Sequence, residues 1–200
     1  MDRHCAALLA LTPGGRSYAV GVTGTGPQAT VTVHGPRHST TLTLSNAGRN
    51  TKPVTDIELS PDGKTLYVPR ARDDHMVTDA QLVPDDQWTE IWDVGLRRRT
   101  QVLHGVGGDV LALRPDGRLL ATSSGQLVDL PSGRITRRTL GQDTIRTLSF
   151  SSNGRYLAVG DASGRVTVWT DTQDGASRSS PVRPATPAAL RSPSQPSPSP

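Results

Sequence analysis

Residues 57–68 read IELSPDGKTLYV. Pro61 fixes φ near −65° early in a reversal, and Gly63 accepts positive φ at its end. Before the turn Ile57 and Leu59 are spaced by two, as on a strand with one buried face. After it Leu66-Tyr67-Val68 is a continuous apolar triplet, which predicts a strand buried on both faces. The same arrangement recurs three times. Thr12-Pro13-Gly14-Gly15 lies between Leu9/Leu11 and Tyr18-Ala19-Val20, Arg114-Pro115-Asp116-Gly117 between Leu111/Leu113 and Leu119-Leu120-Ala121, and Ser151-Ser152-Asn153-Gly154 between Leu148/Phe150 and Leu157-Ala158-Val159.

The turn glycines at 15, 63, 117 and 154 are separated by 48, 54 and 37 residues, a repeat of roughly 40–50. Each repeat offers a third strand, at ATVTVH (29–34), WTEIWDV (88–94), QLVDL (126–130) and RVTVWT (165–170). These strands end on Val33-His34, Trp92-Asp93, Val128-Asp129 and Trp169-Thr170. Fourth strands follow at 40–44, 99–103 and 134–140, and none is read after Trp169. The apolar run near Met1–Ala10 is too short for a comfortable signal peptide. It fits better as a repeat, because LALTPGGRSYAVG (9–21) parallels LSFSSNGRYLAVG (148–160).

Composition agrees with short strands and turns. A chain of 200 residues makes one domain or two small ones. With 20 Gly and 16 Pro against three Trp, three Tyr and one Phe, it reads as all-β rather than as a helix bundle. No stretch approaches the roughly 18 apolar residues of a membrane span, so no membrane association is expected. Cys5 is the single cysteine and cannot form an intramolecular disulfide, which suits a reducing, cytoplasmic setting. The net charge of +4 comes largely from residues 176–200, which carry Arg178, Arg183 and Arg191 and no acid. Of the 22 basic residues only Lys52 and Lys64 are lysines, a bias typical of a G+C-rich bacterial genome and no sign of nucleic-acid binding. Residues 176–200 contain seven Ser and seven Pro. Such a segment buries too little apolar surface to offset its ordering entropy and is expected to be a disordered tail.

Four strands per repeat, a Ser-Pro-Asp-Gly turn between the first two and Trp92-Asp93 closing a third strand resemble the WD-repeat β-propellers. SPDGKTLYV (60–68) is also similar to the related YVTN-type propeller repeats. The resemblance implies a propeller over residues 1–175, with blades at about 5–45, 54–103, 109–140 and 144–170, followed by the tail at 176–200. Propellers have about four to eight blades, whereas the sequence supplies about 3.75, so an incomplete ring is expected. It further implies a non-catalytic protein-interaction scaffold or sensor module, as a truncated or C-terminal piece of a larger propeller protein. The alternative is a fragment of a propeller enzyme of hydrolase, lactonase or quinone-dependent dehydrogenase type.

Catalytic signatures are sparse. GVTGTG (21–26) follows a strand but opens no helix whose amides could hold a phosphate. His34 and His38 flank a Gly-Pro turn without a further ligand, and no cysteine pair has zinc spacing, so neither a metal nor a cofactor is expected. Arg97-Arg98-Arg99 and Arg137-Arg138 fall beside fourth strands, where charge deters edge-to-edge pairing. The segment 69–87 (PRARDDHMVTDAQLVPDDQ) reads as a long insertion between second and third strands. In WD-type blades such loops share a face with the links between blades, and long loops on a rigid scaffold commonly carry binding. Arg70, Arg72, Asp73, Asp74, His75, Asp85 and Asp86 from the insertion, with His104 from a link, are therefore the candidate residues for a protein partner. Uncapped apolar faces on the first and last blades also predict self-association or pairing with a longer propeller chain.

Overall fold

In the computed structural model, residues 6–23, 28–45, 51–72, 87–137, 139–141, 143–170 and 179–182 are described. Among these residues there is no helix, and sixteen strands form four antiparallel sheets in chain order. Sheet one holds β1 (Ala6–Leu11), β2 (Tyr18–Thr23), β3 (Gln28–His34) and β4 (Ser39–Ser45). Sheet two holds β5 (Glu58–Leu59), β6 (Thr65–Ala71), β7 (Gln87–Asp93) and β8 (Arg98–His104). Sheet three holds β9 (Leu111–Leu113), β10 (Leu119–Thr122), β11 (Leu127–Asp129) and β12 (Arg134–Arg137). Sheet four holds β13 (Ile145–Phe150), β14 (Tyr156–Asp161), β15 (Val166–Thr170) and β16 (Ser179–Val182). Every sheet is a meander, and the first strands approach one another in the order β1, β5, β9, β13, which is the arrangement of propeller blades.

The repeated turn is the device that sets the register. In each, the backbone N–H of Thr12, Ser60, Arg114 or Ser151 donates to the carbonyl five residues on, and the glycine three residues on donates back. Gly63, Gly117 and Gly154 take φ of 72°, 74° and 69°, a region costly for any residue with a Cβ. In the turns of sheets two and four the side chain two residues on seals the loop: Ser60 Oγ donates to Asp62 at 2.6 Å, and Ser151 Oγ to Asn153 at 2.7 Å. In sheet three Arg114 makes a two-pronged ion pair with Asp116 instead.

The pairing corrects one alignment made from the strand ends. The residue three beyond each turn glycine pairs with His34, Trp92, Val128 and Trp169 respectively. His34 rather than Val33 therefore stands where Trp92 does, and its ring stacks on Tyr18 with centroids 4.6 Å apart. Trp92 and Trp169 are equivalent, as the repeats imply.

Each of the first three sheets packs one face on the sheet that follows it in the chain. The first interface sets Ala10, Ala19, Val31 and Val33 of sheet one against Leu59, Leu66, Val68 and Trp92 of sheet two. The second joins Tyr67 and Leu103 to Leu111, Leu120 and Val128. The third joins Ala121 and Leu127 to Leu148, Leu157 and Val159. A fully buried Leu or Val side chain contributes about 1.5–3 kcal/mol, so these interfaces dominate the stability of the array.

Burial on both faces holds for β6 and β10 and fails for β2, whose Tyr18 and Val20 are exposed. Apolar triplets look alike in sequence, but among the described residues only the two middle sheets have a neighbour on each side. Sheet four departs from expectation in another way. Ser179–Val182 pairs with β15 as its fourth strand, so the blade is complete and part of the expected tail is strand. The pairing is made by main-chain groups and needs no apolar alternation, and Pro181 is tolerated because β16 is an edge strand. Residues 183–200 lie outside the described residues.

Candidate partner-binding face

The links between sheets and the connections between second and third strands meet on one side of the array. Thr51 forms a β-bridge with Arg72, and the Lys52 N–H donates to the Ala71 carbonyl at 2.9 Å. The Gly105 N–H donates to the Gln87 carbonyl at 2.9 Å. Both ends of the insertion are thus anchored beside a link.

The link from β8 to β9 is fixed in detail. Gln126 Nε2 donates to the Gly105 carbonyl at 2.6 Å, and Ser124 Oγ donates to the Gly107 carbonyl at 2.6 Å. Ser123 Oγ accepts from the N–H groups of Asp109 and Val110, and Thr89 Oγ1 donates to the Val106 carbonyl. Ser123, Ser124 and Gln126 all come from the β10–β11 turn. Hydroxyl and amide side chains therefore tie the entry of sheet three to its own second turn. In sheet four Asp161 caps the matching turn, accepting from the Ser163 and Arg165 N–H groups, and the Ala162 N–H donates to the Thr144 carbonyl of the entering link. Its carboxyl is held below the usual Asp value, first by the hydrogen bond from the Ser163 hydroxyl.

The candidate residues separate into three groups. Arg72 and His104 are exposed on this side, Arg72 at the bridge to Thr51 and His104 at the end of β8. Arg70 is not a loop residue: β6 continues through Pro69 to Ala71, and Arg70 is buried against Glu90. Asp73, Asp74, His75, Asp85 and Asp86 lie outside the described residues. Proline at 69 reads in sequence as the end of a strand. β5 pairs only with Leu66 and Tyr67, so β6 passes Pro69 beyond that short partner.

Two further polar groups escaped the sequence reading. Glu90 Oε2 accepts from the Trp92 indole N–H at 3.0 Å and lies 3.4 Å from Arg70 Nε, while Glu90 Oε1 accepts from Arg99 at 2.9 Å. Burial pulls the Arg70 guanidinium below its ordinary value, and Glu90 opposes that shift. The second group joins sheets two and three. Asp56 Oδ2 accepts from the Leu111 N–H at 2.7 Å, and Glu58 accepts backbone N–H bonds from Leu113 and Leu59. Burial raises Asp56 to about 6. Burial, and then the charge of Asp56, raises Glu58 to about 8.

The sign of the resulting pH dependence follows from which state holds the protons. Between the ordinary carboxylate range and pH 8 the folded chain binds more protons at these two sites than the unfolded chain does. Their contribution to stability is therefore fully present at acidic pH and falls as pH rises through that window. Wild type should lose on the order of 5 kcal/mol from this pair between pH 5 and pH 8, and Glu58→Gln should flatten the slope. Urea unfolding at the two pH values checks it; an unchanged slope in the variant would assign the dependence elsewhere.

The comparisons bear on this geometry directly. Residues 134–170 match the family model for the WD domain, G-beta repeat. The matched window begins with β12 of sheet three and runs through β13, β14 and β15, so the sequence repeat is offset by one strand from the structural blade.

Residues 134–170 are similar to a WD repeat.

The other three sheets share the turn register of this WD repeat. A chain in the structure titled "Crystal Structure of Mitotic Checkpoint Complex" superposes with a TM-score of 0.59 at 18% identity, over 86% of this chain and 49% of that chain. At that identity the likeness is one of fold. The chain spans about half the length of the solved chain it matches. No curated protein matches by sequence.

Proposed function

We propose that the chain is a non-catalytic protein-interaction scaffold of WD-repeat type that acts in the cytoplasm, with the face carrying Arg72, His104 and the link 104–110 as its docking surface. The observation that carries the reading is the anchoring of that face. The link is held by side chains of the β10–β11 turn, and both ends of the insertion are tied to neighbouring links. A surface whose backbone is already fixed loses little conformational freedom on binding, which favours recognition. WD repeats are in general the repeats of interaction scaffolds, and the exposed Arg72 and His104 offer polar contacts to a protein partner. Cys5 as the single cysteine suits the reducing compartment.

A photo-crosslinking amino acid placed at Arg72 or His104, compared with one at Asp62 or Asp116 in the first turns, tests the reading in cells. The expected result is one recurrent protein adduct from the first pair of sites and none from the second. Equal labelling from both pairs, or adducts only from the turns, would refute the docking face.

A further inference from the structure

We propose that the outer edge of sheet one, the strand β4, takes up an extended segment of a partner protein as a fifth strand. It is a different surface from the face that carries Arg72 and His104. β4 pairs with β3 across all seven of its residues with no break in register, and among the described residues no strand lies beyond it.

The hairpin that leads into β4 decides which of its main-chain groups are open. The Gly35 N–H closes that hairpin on the His38 carbonyl at 3.0 Å. Bonded and non-bonded pairs alternate along an antiparallel ladder, so the residues of β4 that exchange bonds with β3 are Thr40, Leu42 and Leu44. The N–H and C=O groups of Ser39, Thr41 and Thr43 therefore point away from β3. The side chains agree with this parity. Thr32 and Thr41 form a non-bonded pair, in which side chains stand closer, and their hydroxyls meet at 3.1 Å.

Native sheets guard their edges with charge, proline, bulges or short strands, and the other three outer strands carry such guards. β8 has Arg98 and Arg99, and it bulges at Thr100, since Ile91 pairs with Gln101 and Trp92 with Arg99. β12 is four residues long with Arg134 and Arg137 at its ends, and it bulges in the same way at Thr136. The Thr100 and Thr136 hydroxyls hold the two bulges by donating to the Ile91 and Leu127 carbonyls. β16 is four residues long and contains Pro181. β4 reads STTLTLS over seven residues, with no charge, no proline and no bulge.

The occupant follows from what this edge offers. In strand addition main-chain groups supply the affinity and alternate side chains the selectivity. β15 already recruits a strand in this manner, because Ser179–Val182 pairs with it without apolar alternation. On β4 Leu42 and Leu44 are buried in the core between sheets one and two, whereas Thr41 and Thr43 are exposed. The segment that fits is uncharged and extended, with apolar residues on the side of Leu42 and Leu44 and hydroxyl residues on the side of the threonines. A second copy pairing through its own β4 would bring together only seven residues a side, whereas a stable interface takes about 20–30.

Because main-chain groups carry the contact, a probe of generic sequence tests it. The probe is a fluorescein-labelled peptide of alternating Thr and Val, as long as β4, with a lysine at each end for solubility. Fluorescence anisotropy should show saturable binding to the full chain. Amide exchange at Thr41 and Thr43 should be faster than at Leu42 and Leu44 in the free chain and should slow when the peptide binds. A version of the peptide N-methylated at every Thr and Val keeps the side chains, lacks their N–H donors and should not bind. Thr41→Pro removes an outward N–H and none of the bonds to β3, so the fold should persist and binding should weaken by at least about tenfold. Thr43→Lys sets a charge on the same edge and serves should the proline variant fold poorly. No binding of the first peptide, equal binding of the methylated one, or binding unchanged by the substitution would overturn the proposal. Slow exchange at Thr41 and Thr43 without peptide would overturn it too: slowing that fades on dilution would give the edge to a second copy, and slowing that persists would give it to another segment of this chain.

Discussion

Trp92→Ala should lower the free energy of unfolding by about 3–5 kcal/mol, the range for removing a large aromatic from a packed core. Trp92 is buried between sheets one and two, with Leu66 opposite it on β6 and Val31 and Leu44 of sheet one in the same core cluster. Truncation removes the ring from that interface and also leaves Glu90 Oε2 without the indole N–H that it accepts at 3.0 Å. Trp92→Phe separates the two effects. It retains most of the ring contact, so its cost should fall toward the roughly 1 kcal/mol of one hydrogen bond. Trp169→Ala should cost less than Trp92→Ala although the positions are equivalent, because Trp169 is only half-buried and its indole N–H donates to the main-chain carbonyl of Leu140. Urea unfolding followed by far-ultraviolet circular dichroism measures all three. Domains are stable by only about 5–15 kcal/mol, so the first variant should be visibly compromised on warming. A Trp92→Ala protein as stable as wild type would mean that sheets one and two are not held together by this interface.

The turns and strands were legible because their signals are local. Proline and glycine at fixed offsets set the reversal, and apolar residues two apart set the face, so SPDG at 60–63 already contains the register that pairs Leu66 with Trp92. Burial of whole faces was not legible. Tyr18-Ala19-Val20 and Leu66-Tyr67-Val68 read alike, yet the first has one covered face and the second has two, because the neighbour that decides burial is remote in sequence. β16 was missed for a related reason: an edge strand is recruited by the open hydrogen-bonding groups of β15, and Ser-Ser-Pro-Val carries no apolar pattern to announce it. At the candidate face, the loop sharing a side with the links could be anticipated from the resemblance to WD-type blades. The side chains that fix it, Ser123, Ser124 and Gln126, could not, since small hydroxyl and amide residues in a turn look the same whether they face water or a neighbouring carbonyl. Arg70 falls within the insertion as the sequence reads, since Pro69 looks like the end of a strand, and the pairing of Arg70 with Glu90 across the strands accompanies its burial.

Glu90→Leu should cost about as much as the loss of Trp92, about 3–5 kcal/mol, and for an electrostatic reason. The side chains of Glu90 and Arg70 are each 1% exposed, so the carboxylate is the countercharge of a cation shielded from water. Arg99 reaches the same carboxylate from β8 but is 44% exposed and can be solvated when the acid is removed. Arg70 is buried, and a buried charge that loses a countercharge is costly, whereas an apolar pair of similar volume is often tolerated. Arg70→Met combined with Glu90→Leu should therefore recover at least half of the loss, and a double-mutant cycle should give a coupling free energy above about 1 kcal/mol. Additive single effects would show instead that Arg70 is stabilised independently of Glu90. The position of the pair links this result to the docking face. Arg70 is two residues before Arg72, where β6 gives way to the insertion and Thr51 forms its bridge. Glu90→Leu should accordingly speed amide exchange at the Lys52 N–H, which donates to the Ala71 carbonyl, more than at the Gly117 N–H in the first turn of sheet three. Equal acceleration at both amides would indicate global destabilisation alone and would detach the buried ion pair from the anchoring of the insertion.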